Sequence, residues 1–324
     1  MAGERVAVID LGSNSFRMVL FGMHAGSWER AHELSSAVRI GEGLLASGRL
    51  GDAGMQRGLL TLAEFAATCE QAGLGAGEID AVATSAIRDA ENGAEFLDLV
   101  RERTGFDVRV LSREQEARYG YLAAVHSTTL SDGCVLDLGG GSLQLVRVAS
   151  RIARESGSWR LGAVRMTERF LSNEGPAHPA KRGQCKALQA HVARKLERGA
   201  PWLAGSGERL VGLGGTVRNL ANAAERAAGL PADEVQGFVL TDAALDELIE
   251  RLAVLPAAER STVPGIKPAR ADIVLAGALA IQQVMRQGEF EALEVTGAGL
   301  REGILFERRL LTNQLQEAQA ARAA

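Results

Sequence analysis

The apolar positions of the chain group into short β-branched runs that alternate with longer stretches of helical periodicity. The short runs predict strands at Val6–Leu11, Phe16–Gly22, Ala81–Thr84, Val108–Leu111, Val135–Leu138, Leu143–Val148, Arg209–Leu213 and Leu293–Thr296. The longer stretches predict helices at Gly54–Ala72, Ala94–Thr104, Arg113–Val125, Lys186–Arg198, Thr216–Ala228, Asp242–Leu252 and Ala271–Arg286, with one more from Arg301 to the chain end. Strands interleaved with helices predict an α/β fold. Prolines and glycines predict linkers at Ser172–Gly183, Ala227–Gly237 and Leu255–Pro268.

One stretch of this pattern occurs twice, 127 positions apart. Val6–Val19 reads VAVIDLGSNSFRMV, and Gly133–Val146 reads GCVLDLGGGSLQLV. Each copy is an apolar run that ends in an aspartate, Asp10 or Asp137, followed by a tight turn and a second apolar run. A repeat of this kind indicates a duplicated structural unit and not a solenoid, whose periods are about 20–50 residues.

The turns of these two copies, and one further turn, have the composition of phosphate-binding loops. Turns rich in glycine, serine and asparagine expose backbone N–H groups and hydroxyls that no β-ladder uses, which makes an anion-binding concavity. The third turn follows a strand and opens a helix, where the helix N-terminus favours phosphate. A single turn of this kind is ordinarily only a hairpin, but several in one chain favour an anion site. The candidate phosphate-binding residues are Ser13, Asn14, Ser15, Gly139, Gly140, Gly141, Ser142, Gly214, Gly215 and Thr216.

Charged side chains beside these turns are candidates for chemistry. Asp10 and Asp137 end strands at the mouths of their turns, where a carboxylate binds Mg²⁺ or only forms an Asx-turn. Arg88 is either a bidentate clamp on a phosphoryl oxygen or a solvated surface arginine. Glu116 lies in the first turns of a helix that a Ser112–Gln115 capping box begins. It either deprotonates an attacking water or only interacts with the helix dipole.

Composition narrows the function classes. The 324 residues suggest about two domains, and the net charge of −4 provides no global basic field for nucleic acid. Three widely spaced cysteines, no signal-peptide layout and no apolar run of 18 residues predict a cytoplasmic protein without a membrane span. The sequence lacks a P-loop, a dinucleotide fingerprint, a zinc-ligand spacing and a GxSxG nucleophile elbow.

With these features the chain resembles the exopolyphosphatase and guanosine pentaphosphate phosphohydrolase family, within the superfamily of actin and the sugar kinases. The resemblance runs from about Val6 to Leu305 and depends on eight blocks in the family's order: AVIDLGSNSFRMVLF, VRIGEGL, ATSAIRDAENG, LSREQEARYGY, VLDLGGGSLQLV, LGAVRMTERF, VGLGGTVRNLA and VTGAGLREGIL. It implies two actin-like (ribonuclease H-like) domains that flank a cleft, with residues 1–124 plus 304–324 in domain I and residues 125–303 in domain II.

The resemblance also implies an activity and a set of roles. The activity is release of terminal phosphate from inorganic polyphosphate or pppGpp, with Mg²⁺ as the cofactor and Mn²⁺ or a monovalent cation as other candidates. Glu116 matches the family's general base, Asp137 a metal-linked acid, and Arg88 and Asn92 the arginine and asparagine of the ATxxxRxAxNG block. No membrane or nucleic-acid partner is implied, and a homodimer is one candidate assembly.

One position departs from the family pattern. The second hairpin of the family usually reads GGGSTEL, whereas this chain reads GGGSLQL, so Gln144 replaces a glutamate. Glutamine keeps an acceptor oxygen but loses the charge, which makes Gln144 a doubtful metal ligand. The departure leaves a slow or non-catalytic sensor of polyphosphate or alarmone as the alternative to an enzyme, and an ATPase of the same superfamily as a third reading.

Basic residues outside the turns are candidates to line a path for a long anion, or else are dispersed solubilising charge. They are Arg113, Arg118, Arg165, Arg169, Lys181, Arg182, Arg218, Lys267 and Arg270.

Overall fold

The computed structural model describes residues 4–24, 27–171, 175–206, 209–230 and 235–308. Its first sheet has the strand order β3-β2-β1-β4-β5. The strands are β1 (Glu4–Leu11), β2 (Phe16–His24), β3 (Ser27–Ser36), β4 (Ile79–Ala83) and β5 (Val108–Val110). The helices within this part of the chain are α1 (Leu44–Ser47), α2 (Asp52–Gln71), α3 (Ser85–Asp89) and α4 (Gly93–Thr104).

The second sheet has the strand order β10-β11-β9-β6-β7-β8. Its strands are β6 (Gly133–Leu138), β7 (Leu143–Ala149), β8 (Ile152–Trp159), β9 (Leu210–Leu213), β10 (Val239–Thr241) and β11 (Ala292–Val295). The remaining helices are α5 (Arg113–Ser127), α6 (Ala163–Met166), α7 (Arg182–Gly199), α8 (Gly215–Ala227), α9 (Asp242–Ala253) and α10 (Val274–Gly288), followed by residues 300–308 as α11.

The two sheets repeat one arrangement, which confirms that the sequence repeat is a duplicated unit. Strands β1 and β2 are antiparallel and β4 lies parallel to β1, just as β6 and β7 are antiparallel and β9 lies parallel to β6. The register places Asp10 opposite Arg17 and Asp137 opposite Gln144. Arg17 and Gln144 are therefore equivalent positions of the two hairpins.

Helix α5 packs between the sheets and so places its N-terminus where they meet. Tyr119 and Leu122 belong to the apolar cluster that includes Val6 and Val8 of β1. The opposite face of the helix, including Ala123 and Ala124, packs against Val135, Val146 and Val211 of the second sheet. Apolar residues on two faces of one helix allow it to pack against both sheets.

The C-terminal part of the described chain returns to the first sheet. Ile304 and Leu305 of α11 are buried in the same cluster as Val6 and Val8. Gly303 has no side chain because α5 lies against it: a Cβ there would be 2.0 Å from the carbonyl oxygen of Tyr119. This contact fixes α11, and with it Arg301, beside the first hairpin.

The predicted α/β class is confirmed, and each predicted strand and helix has a counterpart with shifted ends. The sequence did not reveal β3, β8 and the three-residue β10. Strands β3 and β8 are polar and largely exposed at the sheet edges, so they lack the apolar alternation that signals a strand. In their described parts the predicted linkers contain a short helical turn at Ala257–Thr262, an isolated β-bridge between Pro179 and Pro256, and the adjoining ends of α7 and α8. The last helix beyond residue 308 lies outside the described residues. Within the described ranges, no helix has both the length and the apolar character needed to cross a membrane.

Candidate active site

A cavity of about 110 Å³, called here the hairpin cavity, lies between the two repeated hairpins. It receives residues from both sheets, from α5 and from the turn that opens α8. Most of the predicted site residues line it: Asp10, Ser13, Asn14, Ser15, Glu116, Asp137, Gly139, Gly140, Ser142, Gln144, Gly214 and Gly215. The two strand-ending aspartates therefore share one opening.

The tips of the hairpins approach each other closely, and this approach depends on glycine. A Cβ on Gly140 would lie 3.1 Å from the Cβ of Ser13, and a Cβ on Gly141 would lie 2.3 Å from the Oγ of Ser85. Ser13 and Ser85 hydrogen-bond each other through their hydroxyls at 3.0 Å. The Gly139–Gly141 run thus has a packing reason as well as its candidate role in binding phosphate.

Glu116 occupies the first turn of α5, at the edge of the hairpin cavity. The capping box begins the helix as predicted: Ser112 Oγ accepts from the Gln115 amide, and Gln115 Oε1 accepts from the Ser112 amide. The Glu116 carboxylate accepts hydrogen bonds from Arg88, from Ser142 Oγ at 3.0 Å and from Gln144 Nε2 at 2.6 Å. Burial raises the pKa of Glu116 above its usual value, against the opposing effect of Arg88. A raised pKa makes a carboxylate a better proton acceptor near neutral pH.

Gln144, the departure from the family pattern, is part of this network. Its amide nitrogen donates to Glu116, to Ser142 Oγ at 2.9 Å and to Ser158 Oγ at 3.3 Å. A glutamate there would face the Glu116 carboxylate with a second negative charge. The neutral amide instead supplies a donor to Glu116.

The two aspartates lie in different electrostatic surroundings. Burial and, after it, the nearby charges of Glu116 and Asp10 raise the pKa of Asp137 to about 7, although Arg218 and Arg301 oppose them. Burial also raises the pKa of Asp10, but Arg301 and Arg17 oppose this effect. Arg301 Nη1 is 3.5 Å from Asp10 Oδ2.

These carboxylates fit a cation that is shared with a substrate. Among the described residues, no group of three or more His, Cys, Asp or Glu side chains is arranged to hold a metal ion. Mg²⁺ commonly binds through only one or two carboxylates together with water and substrate phosphate. Asp10 and Asp137, with the amide oxygen of Gln144, supply such a partial set.

Arginines that are distant in sequence also line the hairpin cavity: Arg17, Arg218, Arg270 and Arg301. Burial and then mutual repulsion lower the pKa of Arg17 to about 9 and that of Arg218 to about 10. Burial, with repulsion from Arg17, lowers the pKa of Arg270 to about 10. Gly215 makes room for one of them, because a Cβ there would lie 2.1 Å from Arg270 Nη2. This concentration of buried positive charge favours binding of an anion.

Arg218 and Arg270 are among the basic residues that the sequence offered either as the lining of an anion path or as dispersed charge, and both line the cavity. Sequence reasoning assigned no role to Arg17 and Arg301. Arg17 faces Asp10 only through the register of β1 and β2, and a signal for it was available in the repeat, where it aligns with Gln144. Arg301 reaches Asp10 across 291 positions of sequence, and only the packing of α11 brings the two together.

Four predicted residues do not line the hairpin cavity. Arg88 donates to Glu116 and, at 2.7 Å, to the carbonyl of Leu111, so it holds the carboxylate instead of reaching a phosphate. The side-chain amide of Asn92 hydrogen-bonds the backbone of Leu50: its oxygen accepts at 2.8 Å and its nitrogen donates at 3.0 Å. These bonds fix the chain ahead of α2. Gly141 lies against Ser85, and Thr216 is buried with its methyl group directed at Gly277.

Comparisons with known proteins give one consistent result. The family model described as the Ppx/GppA phosphatase family matches residues 19–312. Exopolyphosphatase 1 of Mycobacterium tuberculosis is 31% identical over 311 residues, which cover 94% of this chain and 88% of that protein. Exopolyphosphatase 1 of Mycobacterium leprae is 30% identical over 312 residues, which cover 94% and 89% of the two chains.

Solved structures agree on the fold. The Ppx/GppA family member of Aquifex aeolicus superposes with a TM-score of 0.79 at 30% identity and covers 95% of this chain and 98% of its own. An exopolyphosphatase from Cytophaga hutchinsonii superposes with a TM-score of 0.85 at 22% identity, covering 93% and 96% of the two chains. The expectation of an actin-like α/β fold is confirmed by these neighbours.

Proposed function

The chain belongs to the Ppx/GppA phosphatase family, and from this premise we propose that it hydrolyses the terminal phosphoanhydride bond of inorganic polyphosphate. The observation that carries the proposal is the hairpin cavity itself. Around this one small opening lie the aspartates of the two hairpins, four buried or half-buried arginines, and Glu116, whose carboxylate is held by hydrogen bonds. An anionic substrate suits this arrangement, because four arginines line the cavity and their combined positive charge attracts it.

In this mechanism the terminal phosphoryl group lies between the hairpin tips. The exposed amides of the turns and the guanidinium groups of Arg17, Arg218 and Arg270 stabilise its charge, which is the main task of an enzyme that transfers phosphoryl groups. The arginines are buried before substrate arrives, so little reorganisation is needed when it binds.

Water is the nucleophile, and Glu116 is its base. The water oxygen forms a bond to the terminal phosphorus while the bond from phosphorus to the bridging oxygen breaks, and the shortened chain leaves on that oxygen. The proton of the water passes to Glu116. Arg88, Ser142 and Gln144 hold the carboxylate in place through the hydrogen bonds described above.

Mg²⁺ is proposed as the cofactor. Asp10 and Asp137, with the amide oxygen of Gln144, would hold it at the mouths of the turns, and when bound it would neutralise charge on the phosphoryl oxygens. The raised pKa of Asp137 supports this role, since a buried acid among other carboxylates needs a cation to stay ionised at neutral pH.

A second candidate substrate is pppGpp, and an adjoining cavity favours it. This cavity of about 620 Å³ shares Arg17, Gly215, Arg218 and Arg270 with the hairpin cavity. It continues to Trp28 and to the side-chain amides of Asn219, Asn222 and Gln236. Its volume lies in the range of small-molecule sites, about 300–1,000 Å³. Trp28 offers a ring for a base to pack against, and Asn222 offers a side-chain amide for hydrogen bonds to the nucleoside.

The proposal is tested with a substrate panel. Phosphate release is measured from long-chain polyphosphate, tripolyphosphate, pppGpp and ATP, with Mg²⁺, with Mn²⁺ and with a chelator. We expect metal-dependent release from the polyphosphates, and faster release from pppGpp than from ATP. Faster hydrolysis of ATP than of polyphosphate would overturn the assignment in favour of an ATPase.

Gln144 favours one alternative, a sensor that binds polyphosphate or alarmone without turnover. The same panel, run beside a binding assay, separates the two functions. Tight binding with no release in either metal indicates the sensor, and release with Mg²⁺ excludes it.

A further inference from the structure

A second basic cavity, called here the rear cavity, shares no lining residue with the hairpin cavity. It has a volume of about 510 Å³ and lies where the end of β8, the start of α5, the segment after α6 and one face of α7 meet. Its polar lining is dominated by basic side chains: Arg113, Arg160, Arg165, Arg169, His191 and Lys195. None of the described residues that line it is an aspartate or a glutamate.

A single buried carboxylate, that of Asp89, pairs with several of these arginines. Its Oδ2 is 2.9 Å from Arg160 Nε and 3.0 Å from Arg165 Nη2, and its Oδ1 is 4.0 Å from Arg113 Nη2. The same carboxylate lies 3.9 Å from Arg88 Nε. Asp89 and the nearby Glu168, which also acts on Arg165, oppose the five permanently charged side chains that line the cavity, so the net charge remains positive.

The other lining groups suit an oxyanion. Burial lowers the pKa of His191, and the charges of Arg169 and Lys195 lower it further, so near neutral pH the ring is a neutral hydrogen-bonding group. Arg169 lies 5.5 Å from the ring centre of Phe170, which in turn packs against His191. These contacts hold the basic wall in place.

Only a thin wall separates the rear cavity from the hairpin cavity. Gln144 lines the hairpin cavity and donates at 3.3 Å to Ser158, which lines the rear cavity. On the other side of the wall, Asp89 approaches Arg88, and Arg88 donates to Glu116. The two cavities therefore meet at the residues that hold the proposed base.

We propose that the rear cavity is a second binding site for a phosphate oxyanion, distinct from the hairpin cavity. The site requires only the charges and the volume just described. The source of the bound phosphate rests on the proposed function. The occupant is either the orthophosphate that hydrolysis releases or a more distant phosphate of a long substrate chain.

Binding of inorganic phosphate tests the site without any need for activity. Orthophosphate is titrated calorimetrically, in chelator, into the wild type and into the double variant Arg169→Glu/Lys195→Glu. The matched control is Lys186→Glu/Arg198→Glu, which makes the same charge change at exposed positions of α7 outside the cavity. We expect the rear site to bind about tenfold more weakly in the double variant, as loss of two partly solvated charges implies, and to be unchanged in the control.

A single variant keeps the test informative if the double variant does not fold. Arg160→Gln removes a side chain that is 56% exposed, and we expect it to weaken the same site in the same direction. Phosphate binding that is as tight in both cavity variants as in the control would overturn the proposal.

Steady-state kinetics then identify the origin of the phosphate. If the site takes released orthophosphate, the double variant raises the inhibition constant of phosphate equally with tripolyphosphate and with long polyphosphate. If the site takes part of the chain, the KM for long polyphosphate rises and the KM for tripolyphosphate does not. A protein that releases no phosphate from any substrate refutes the proposed hydrolase, but the binding titration still decides the rear site.

Discussion

The β1–β2 and β6–β7 hairpins have the same backbone arrangement and carry different charges. In the first, Asp10 faces Arg17 and lies within ion-pair distance of Arg301. In the second, Asp137 faces the uncharged Gln144, and the neighbouring Glu116 and Asp10 raise its pKa. The two copies of the duplicated unit therefore differ in charge: the first hairpin pairs its aspartate with a cation, and the second leaves its aspartate opposite a neutral amide.

The equivalent positions 17 and 144 show how this difference arises. Arginine at position 17 adds to the positive potential of the hairpin cavity and opposes the rise in the pKa of Asp10. Glutamine at position 144 adds no charge and donates to Glu116. The proposed base therefore belongs electrostatically to the second hairpin, and substitutions in the two hairpins have different expected effects.

The largest effect is expected from Glu116→Gln, which removes the base beside the second hairpin. Loss of a general base costs about 10²–10⁴ in rate, so kcat for polyphosphate should fall by about 10³, whereas polyphosphate affinity should change little. Glu114→Gln is the matched control, because Glu114 lies in the same helical turn and does not line the cavity. A rate for Glu116→Gln within a few-fold of wild type would falsify the role of this residue.

Arg17→Gln gives the first hairpin the residue type of the second. It removes a buried cation, and a charge-assisted contact contributes about 1.5–3 kcal/mol, so affinity for tripolyphosphate should fall by about ten- to a hundredfold. The exposed Arg5 of the same sheet provides the control Arg5→Gln. Equal affinities in the two variants, measured by equilibrium titration, are incompatible with an anion-binding first hairpin.

Gln144→Glu tests the effect of adding a charge to the second hairpin. It places a second carboxylate within hydrogen-bond distance of Glu116, and two such carboxylates cannot both ionise easily, so the pair loses its last proton at higher pH. The acidic limb of the pH–rate profile should move up by about one unit, and added Mg²⁺ should offset part of the shift. Gln144→Met, which removes the hydrogen bonds without adding charge, should not reproduce it. An identical shift in both variants would refute the charge explanation.

The smallest effect is expected in stability without metal. Asp137 has a pKa of about 7 in the folded protein and near 3.8 when unfolded, so between these values the folded state binds more protons than the unfolded state. Stability should therefore fall as the pH rises through this window and level off above about pH 7. Asp137→Asn removes this contribution. The Tm of the variant minus the Tm of the wild type should therefore increase by about 2 °C or more from pH 5 to pH 7. A Tm difference that does not vary with pH would contradict the burial of this acid.

Parts of this site follow from the sequence because they depend on local pattern. The repeated hairpins, their aspartates and the capped helix that carries Glu116 are each encoded within about fifteen consecutive residues, and the fold brings them together around one cavity. Helix α5 explains the meeting, since its two apolar faces pack against the two sheets and place its N-terminus between them.

Other parts depend on contacts that no local pattern reveals. Arg301 reaches Asp10 only because α11 packs on the first sheet, and Arg88 faces Glu116 because the Leu111 carbonyl and the carboxylate both accept hydrogen bonds from it. Asn92 stands in a motif that suggests phosphate, yet its amide is satisfied by Leu50. Whether such a polar side chain faces a ligand or the backbone is decided by tertiary packing.

The central claim is that both hairpins hold the same phosphoryl group. A double-mutant cycle tests it most directly, with kcat/KM for tripolyphosphate measured in the wild type, Arg17→Gln, Ser142→Ala and the double variant. Groups that contact one ligand couple by about 0.5 kcal/mol or more, whereas independent sites add within about 0.3–0.5 kcal/mol. We predict that the double variant loses clearly less than the sum of the two single losses; additive losses would mean that the hairpins act on separate ligands.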